Sequence, residues 1–258
     1  MDLHLADKVV CVTGSSRGIG RAIAEAFLQE GARVVLTGRD ERHLATAWAT
    51  LGERWGVDHL FQFSGDLTQD EVIHKCVEAI RSQWGRLDVL VANLGTGRGM
   101  MGWALHHEDW TNLLGANLIA ASLMVAHAVP LMRQGGGGSV TLIASLAGLE
   151  SLPAPIPYTS AKAGLIALGK ALSRELAADH IRVNVVAPGN IYFPGGVWDR
   201  KQREDSHAVE AYLRSEVPMN RFGRPEEVAD TVVFVSSSRA AFLTGASIVV
   251  DGGQSRAW

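Results

Sequence analysis

Cysteine is almost missing from this chain: the 258 residues hold two, Cys11 in an apolar run expected to be a strand and Cys76 in an expected helix. No CxxC pair and no dense Cys/His spacing accompanies them, which argues against a disulfide framework and a cysteine-held metal. Both read as small core residues in a protein of a reducing compartment, and no metal site is expected. Charge of either sign is not in excess. With 24 basic and 27 acidic residues the formal net charge is −3, so nothing draws the whole molecule to nucleic acid or to an anionic membrane. Long uninterrupted apolar runs are also lacking. The most apolar stretch, 113–132, is broken by Asn117, Ser122, His127 and Pro130, which suits a buried helix rather than a membrane span. The opening MDLHLADKVVCVTG has an acidic residue at position 2 and too short an apolar run for a signal peptide. The expectation is a soluble, cytoplasmic protein whose partner is a small molecule. No repeat of solenoid period and no low-complexity segment is visible.

What is present is alternation. Short β-rich runs at 8–13, 33–37, 59–64, 87–93, 139–145 and 181–187 are separated by helical patterns near 18–30, 41–54, 69–84, 108–133 and 157–178. A helix near 225–236 and a last strand at 246–250 follow. This order predicts an α/β fold, a doubly wound parallel sheet with helices on both faces. At 47% hydrophobic residues the chain can bury the core of one domain, taken as 1–258. The segment 188–224 breaks the rhythm. So long an excursion after a strand's carboxyl end reads as a substrate lid or pocket wall, placed at 190–220, with Gly195 and Gly196 as joints and DRKQRED (199–205) as a solvated helix face. A permanently docked helix is the alternative.

Several residues carry chemistry by their placement. In VTGSSRGIGRAIAEAF, Gly14, Gly18 and Gly20 lie between the first strand and first helix, where the backbone can turn tightly and bring helix N–H groups to a phosphate. A bare sharp turn is the competing reading. Asp66 and Asn93 fall at or just after strand ends, where open α/β sheets bind ligands; capping and turn-holding would equally explain them. Tyr158 and Lys162 stand four apart, on one face of a helix. A lysine ammonium there would favour the phenolate and lower a tyrosine pKa of about 10, unless the two are uncoupled surface residues. Ser145 ends a strand, placed either to donate to a substrate oxygen or to cap a turn. Asn117 sits in a helix interior, where asparagine is mildly unfavourable and needs a reason. Hydrolase chemistry lacks support: no GxSxG turn surrounds Ser145, and His106, His107, His127, His180 and His207 have no matching context.

TGSSRGIG (13–20), VANLG (91–95), Asn117, Ser145, YTSAK (158–162), APG (187–189) and VDGG occur in one order over residues 6–253. Together they resemble the short-chain dehydrogenase/reductase family. The resemblance implies a single Rossmann-like domain that binds NAD(H) or NADP(H) and interconverts a ketone and a secondary alcohol. It implies Asn117, Ser145, Tyr158 and Lys162 as the catalytic set, with Tyr158 as general acid/base, Lys162 also holding the ribose, and Asn117 in a water-linked proton relay. In the cofactor site it places Gly14, Ser16, Arg17, Gly18, Ile19 and Gly20 on the first turn and Arg39 after the second strand. Asp66 and Leu67 fall by the adenine, Asn93 near the ribose region, and Pro188, Gly189 and Ile191 near the carboxamide, with Tyr158 and Lys162 completing the set. A homotetramer or homodimer is the implied assembly. One departure stands out: where the family often continues PGxIxT, this chain reads PGNIYF and has Phe193 at the threonine position.

The end of the second strand speaks to cofactor choice. NAD sites usually carry an acidic residue there for the ribose 2′-OH; here that position is Gly38, followed by Arg39. Arg39, with Arg17 projecting from the glycine turn toward the same region, predicts NADP(H) preference with NAD(H) possible, unless Asp40 turns inward. Leu94, Thr96, Leu146, Tyr192, Phe193, Trp198 and Met219 are candidate walls for a hydrophobic or ring-bearing carbonyl or alcohol. Two other functions compete: a cofactor-binding scaffold that has lost the reaction, and a relative that isomerises or dehydrates without net cofactor change.

Overall fold

The computed structural model describes residues 1–256; positions 257 and 258 of the expected 1–258 domain lie outside the described residues. The chain runs β1 (Val9–Val12), α1 (Gly18–Gln29), β2 (Arg33–Gly38), α2 (Glu41–Trp55), β3 (Leu60–Ser64), α3 (Asp70–Trp84) and β4 (Val89–Ala92). Next come α4 (His107–Leu114), a π turn (Gly115–Ile119), α5 (Ala120–Gln134), β5 (Gly138–Ile143), α6 (Ile156–Glu175) and β6 (Ile181–Pro188). The chain continues through α7 (Val197–Glu204), α8 (Ser206–Glu216), α9 (Pro225–Ser236) and β7 (Ser247–Val250). The strands form one parallel seven-stranded sheet in the order β3-β2-β1-β4-β5-β6-β7. Cys11 pairs with Val35 on one side and Leu90 on the other.

The central strands are apolar without alternation because helices cover both faces. Ile23, Phe27, Leu44 and Val232, from α1, α2 and α9, pack one face. Ile73, Cys76, Met124 and Leu165, from α3, α5 and α6, pack the other. The apolar stretch at 113–132 packs into this core through Met124, Val125, Ala128 and Leu131, and Cys11 and Cys76 are free and buried. Local chemistry sets the boundaries: Asp40 caps α2 by accepting from the Arg42 and His43 amides, and Gly85 ends α3 in the left-handed region at φ 69°. β1 and β4 are neighbours whose connections leave toward opposite edges of the sheet. The gap this opens at their carboxyl ends is where ligands of such sheets bind.

Candidate active site

The turn after β1 is held by side chains buried within the motif. Ser15 donates from Oγ to the Val12 carbonyl at 2.8 Å and accepts from the Thr37 amide at 2.9 Å, while Thr37 Oγ1 accepts from the Gly14 amide at 2.9 Å. Thr13 Oγ1 accepts from the Asn93 and Leu94 amides at 2.8 and 2.9 Å, and Asn93 Nδ2 donates to the Thr13 and Gly14 carbonyls at 2.9 and 3.2 Å. Asn93 therefore clamps the first turn to the fourth strand, so its turn-holding role is real. Gly20 is obligatory: a Cβ there would stand 2.4 Å from both Asn93 Nδ2 and the Gly14 carbonyl oxygen. Arg17, the N-cap of α1, makes no side-chain cap, which leaves the first helical N–H groups without that partner.

Gly14, Arg17, Gly20, Thr37 and Asn93 line one cleft of about 450 Å³. Arg39, Asp66 and Leu67 lie along it with the glycine turn, as do Asn117, Ser145, Tyr158 and Lys162. Asp66 accepts from the Thr68 amide and hydroxyl at 3.1 and 2.8 Å, so it shapes its own loop as well as facing the cleft. Asp40 does not turn inward; its carboxylate is spent on the α2 cap, which holds it below the usual carboxylate range. Arg17 and Arg39 both line the cleft, and Arg17 Nη1 lies 3.5 Å from where a Cβ on Gly195 would stand.

Asn117 is fully buried and lies in the π turn. Nδ2 donates to the Leu113 and Thr96 carbonyls, each at 2.9 Å, and Oδ1 accepts from the Thr96 amide at 3.0 Å. The side chain ties the loop after β4 to the helix, which is the reason a helix-interior asparagine required. Gly95 must be glycine for the same contact, since a Cβ would come within 2.5 Å of Asn117 Oδ1 and 3.3 Å of Lys162 Nζ.

Tyr158 and Lys162 share a face of α6, with Nζ 5.8 Å from the tyrosine ring centroid. Lys162 is buried and donates to the Ile143 carbonyl at 2.7 Å. With its charge stripped of water, burial pulls its pKa down to about 7. Tyr158, half-buried, is pushed above its usual value by burial, against a downward pull from the Ser145 hydroxyl. No lowering by Lys162 is seen in this conformation: desolvation outweighs the Ser145 bond, and burial leaves the lysine only partly charged near neutrality. Ser145 Oγ accepts from the Ala147 amide at 3.2 Å, so it caps the turn after β5 and still faces the cleft.

Of the expected walls, Leu94, Thr96, Phe193 and Trp198 line the cleft. Leu146 is core, Met219 is exposed elsewhere, and the Tyr192 hydroxyl is occupied by Asp199 at 2.9 Å. The sequence reading missed Thr13, Ser15, Thr37 and Gly95, whose only signal was their place inside the quoted motifs, and Asp199, which hid in a charged run. The whole arrangement fits a dinucleotide: a glycine cradle that side chains would fill, an uncapped helix N-terminus for phosphate, and a serine–tyrosine–lysine group along the same cleft.

Known proteins resemble this chain along nearly its whole length. A family model described as enoyl-(acyl carrier protein) reductase matches residues 14–255. The 3-oxoacyl-(acyl-carrier-protein) reductase FabG of Chlamydia muridarum is 32% identical over 255 residues, covering 98% of this chain and 99% of its own. Dehydrogenase/reductase SDR family member 4 of Mus musculus is 35% identical over 254 residues, 96% of this chain and 88% of its own. The crystal structure of L-sorbose reductase from Gluconobacter frateurii, complexed with NADPH and L-sorbose, matches with a TM-score of 0.95 at 34% identity and covers 100% of both chains. Glycine cradle, π-turn asparagine and Ser145–Tyr158–Lys162 cleft thus sit in a chain that aligns end to end with such enzymes, and the chain belongs to the short-chain dehydrogenase/reductase family of NAD(P)-dependent oxidoreductases.

Proposed function

We propose that this oxidoreductase, which interconverts a carbonyl and an alcohol, uses Tyr158 as its general acid/base and prefers NADP(H). The observation that carries the reading is convergence: Ser145 from the end of β5 and Tyr158 and Lys162 from α6 face the same cleft as the uncapped glycine turn. When bound, the nicotinamide cofactor supplies or receives the hydride. Tyr158 gives its phenolic proton to the substrate oxygen during reduction and takes it back during oxidation. Its raised pKa keeps it protonated at neutral pH, the form reduction needs. Ser145 donates a hydrogen bond to the same oxygen as charge develops. Lys162, anchored on the Ile143 carbonyl, lies where it can hold the ribose and return a proton to Tyr158, and Asn117 fixes the Gly95–Thr96 backbone beside it. Leu94, Val197 and Trp198 beside Thr96 favour a largely apolar or ring-bearing substrate.

NADP(H) preference is supported by three neighbours after β2: Gly38 without a side chain, Asp40 committed to the helix cap, and exposed Arg39 lining the cleft. The test compares kcat/KM for the two cofactors in the wild type and in Arg39→Ala. Wild type should favour NADP(H), and losing a charge-assisted bond should move the ratio toward NAD(H) by about tenfold or more. A wild-type preference for NAD(H), or an unmoved ratio, would overturn the assignment. The 190–220 segment, α7 and α8, acts as a lid; unequal hydrogen exchange there between free and ternary states supports it, equal protection excludes it. Self-association into a homodimer or homotetramer is supported by the edge strand β7 and the exposed Phe234, Phe242 and Val249. Ultracentrifugation showing monomers would exclude it.

A further inference from the structure

Phe193 is the departure from the PGxIxT pattern in the sequence, and the structure shows where its ring goes. A Cβ built on Gly18 would meet Phe193 Cε2, Cζ and Cδ2 at 2.7, 2.8 and 2.9 Å. The ring therefore lies on the first residue of α1. On its other side, a Cβ on Gly196 would meet Phe193 Cζ at 3.1 Å and Cε1 at 3.2 Å, so the ring is packed between two glycines. Gly18 opens the helix whose N-terminal amides lack a side-chain cap, which is the place a dinucleotide's phosphates take.

The segment that carries the ring is built, not loose. Asp199, buried, accepts from the Tyr192 hydroxyl at 2.9 Å, from the Gly195 amide at 2.8 Å, and pairs with Arg203 at 3.0 Å. The Gly195 amide first, with Tyr192 and Arg203, holds its carboxyl below the usual range. The Phe193 carbonyl accepts from the Gly196 amide at 3.0 Å, and the Tyr192 amide donates to the Gly223 carbonyl at 3.0 Å. From across the cleft, Arg98 Nη2 donates to the Gly195 carbonyl at 3.4 Å. Joints are present too: Gly195 holds φ at 76°, a conformation glycine adopts without strain.

We propose that Phe193 is a gate on cofactor entry, its ring covering the phosphate-binding face of the glycine turn until cofactor displaces it, with Asp199 latching the segment that holds it. The inference rests on the glycine turn being the cofactor's phosphate site. A covered site binds with its affinity scaled down by the fraction of molecules that are open. Removing the ring should therefore raise both association rate and affinity.

The experiment follows NADPH binding by its fluorescence in stopped flow and by calorimetry, for wild type, Phe193→Ala and Phe193→Leu, with adenosine 2′-monophosphate as a ligand that lacks both bridging phosphates and the nicotinamide. Phe193→Ala should bind NADPH about fivefold or more tighter and faster, Phe193→Leu should fall between, and adenosine 2′-monophosphate should bind all three alike. Unchanged or weaker NADPH binding in a folded Phe193→Ala, matched by Phe193→Leu, would overturn the gate and make the ring a platform for cofactor instead. Equal tightening of adenosine 2′-monophosphate would also overturn it, because the effect would not lie at the phosphate face. Wild type and variants alike failing to bind NADPH or NADH would defeat the underlying cofactor reading rather than the gate.

Discussion

Replacing Asn117 by alanine tests whether the π turn is held by one side chain. The amide group makes three bonds, to the Leu113 carbonyl and to both backbone groups of Thr96, and is fully buried. Alanine removes all three, but the losses are unequal. Freed from the side chain, the helix can revert to ordinary i→i−4 pairing, so the Leu113 carbonyl regains a backbone donor. The two Thr96 groups have no such recourse, although Thr96 is part-exposed and water can reach them partly. At about 1–1.5 kcal/mol for each, the low end for buried unsatisfied groups, the variant should lose about 2–3 kcal/mol. In a domain of this size that lowers the melting temperature by about 5–10 °C. Urea unfolding with unchanged m-value is the assay. Asn117→Asp should be as bad or worse, since it keeps the acceptor but places a buried charge opposite two carbonyls. A loss under about 0.5 kcal/mol in Asn117→Ala, the range of ordinary surface substitutions, would refute the account of the turn.

Four further outcomes are expected. Tyr158→Phe keeps the ring and loses the proton, so kcat should fall by orders of magnitude while NADPH affinity, read by calorimetry, stays within a factor of about two; near-normal turnover would remove Tyr158 from the chemistry. Lys162 releases its proton in the folded chain at about 7 and in the unfolded chain near 10.5, so between those values the unfolded state binds the extra proton and stability from this site rises with pH. Chemical denaturation across that window should show wild type gaining on Lys162→Met by up to about 1.4 kcal/mol per pH unit, and parallel curves would deny the depressed pKa. Gly20→Ala should abolish cofactor binding and lower stability together, because its Cβ meets Asn93 and the Gly14 carbonyl at 2.4 Å; binding within about twofold of wild type would show that the turn can yield. Asp199→Asn should loosen 192–199, seen as faster hydrogen exchange there, and unaltered exchange would deny the latch.

Much of this molecule is written locally. The period of apolar residues and the turn residues place the strands and helices, and seven parallel strands follow because runs such as VVCV and VLVA are apolar on both faces and need helices on both. The ordered motifs name the cradle and the serine, tyrosine and lysine of the cleft, because those roles depend on spacing within single elements. Relations between distant elements were not legible. That Asn117 would answer Thr96 and that Lys162 would reach the Ile143 carbonyl and be desolvated there depend on which loops fold against one another. Phe193 is the clearest case: its identity was visible as a departure, but only the packing of residues 193–196 on Gly18 puts the ring on the phosphate face. Burial and desolvation are properties of the assembled surroundings, so a sequence names the titrating groups while tertiary structure sets their direction.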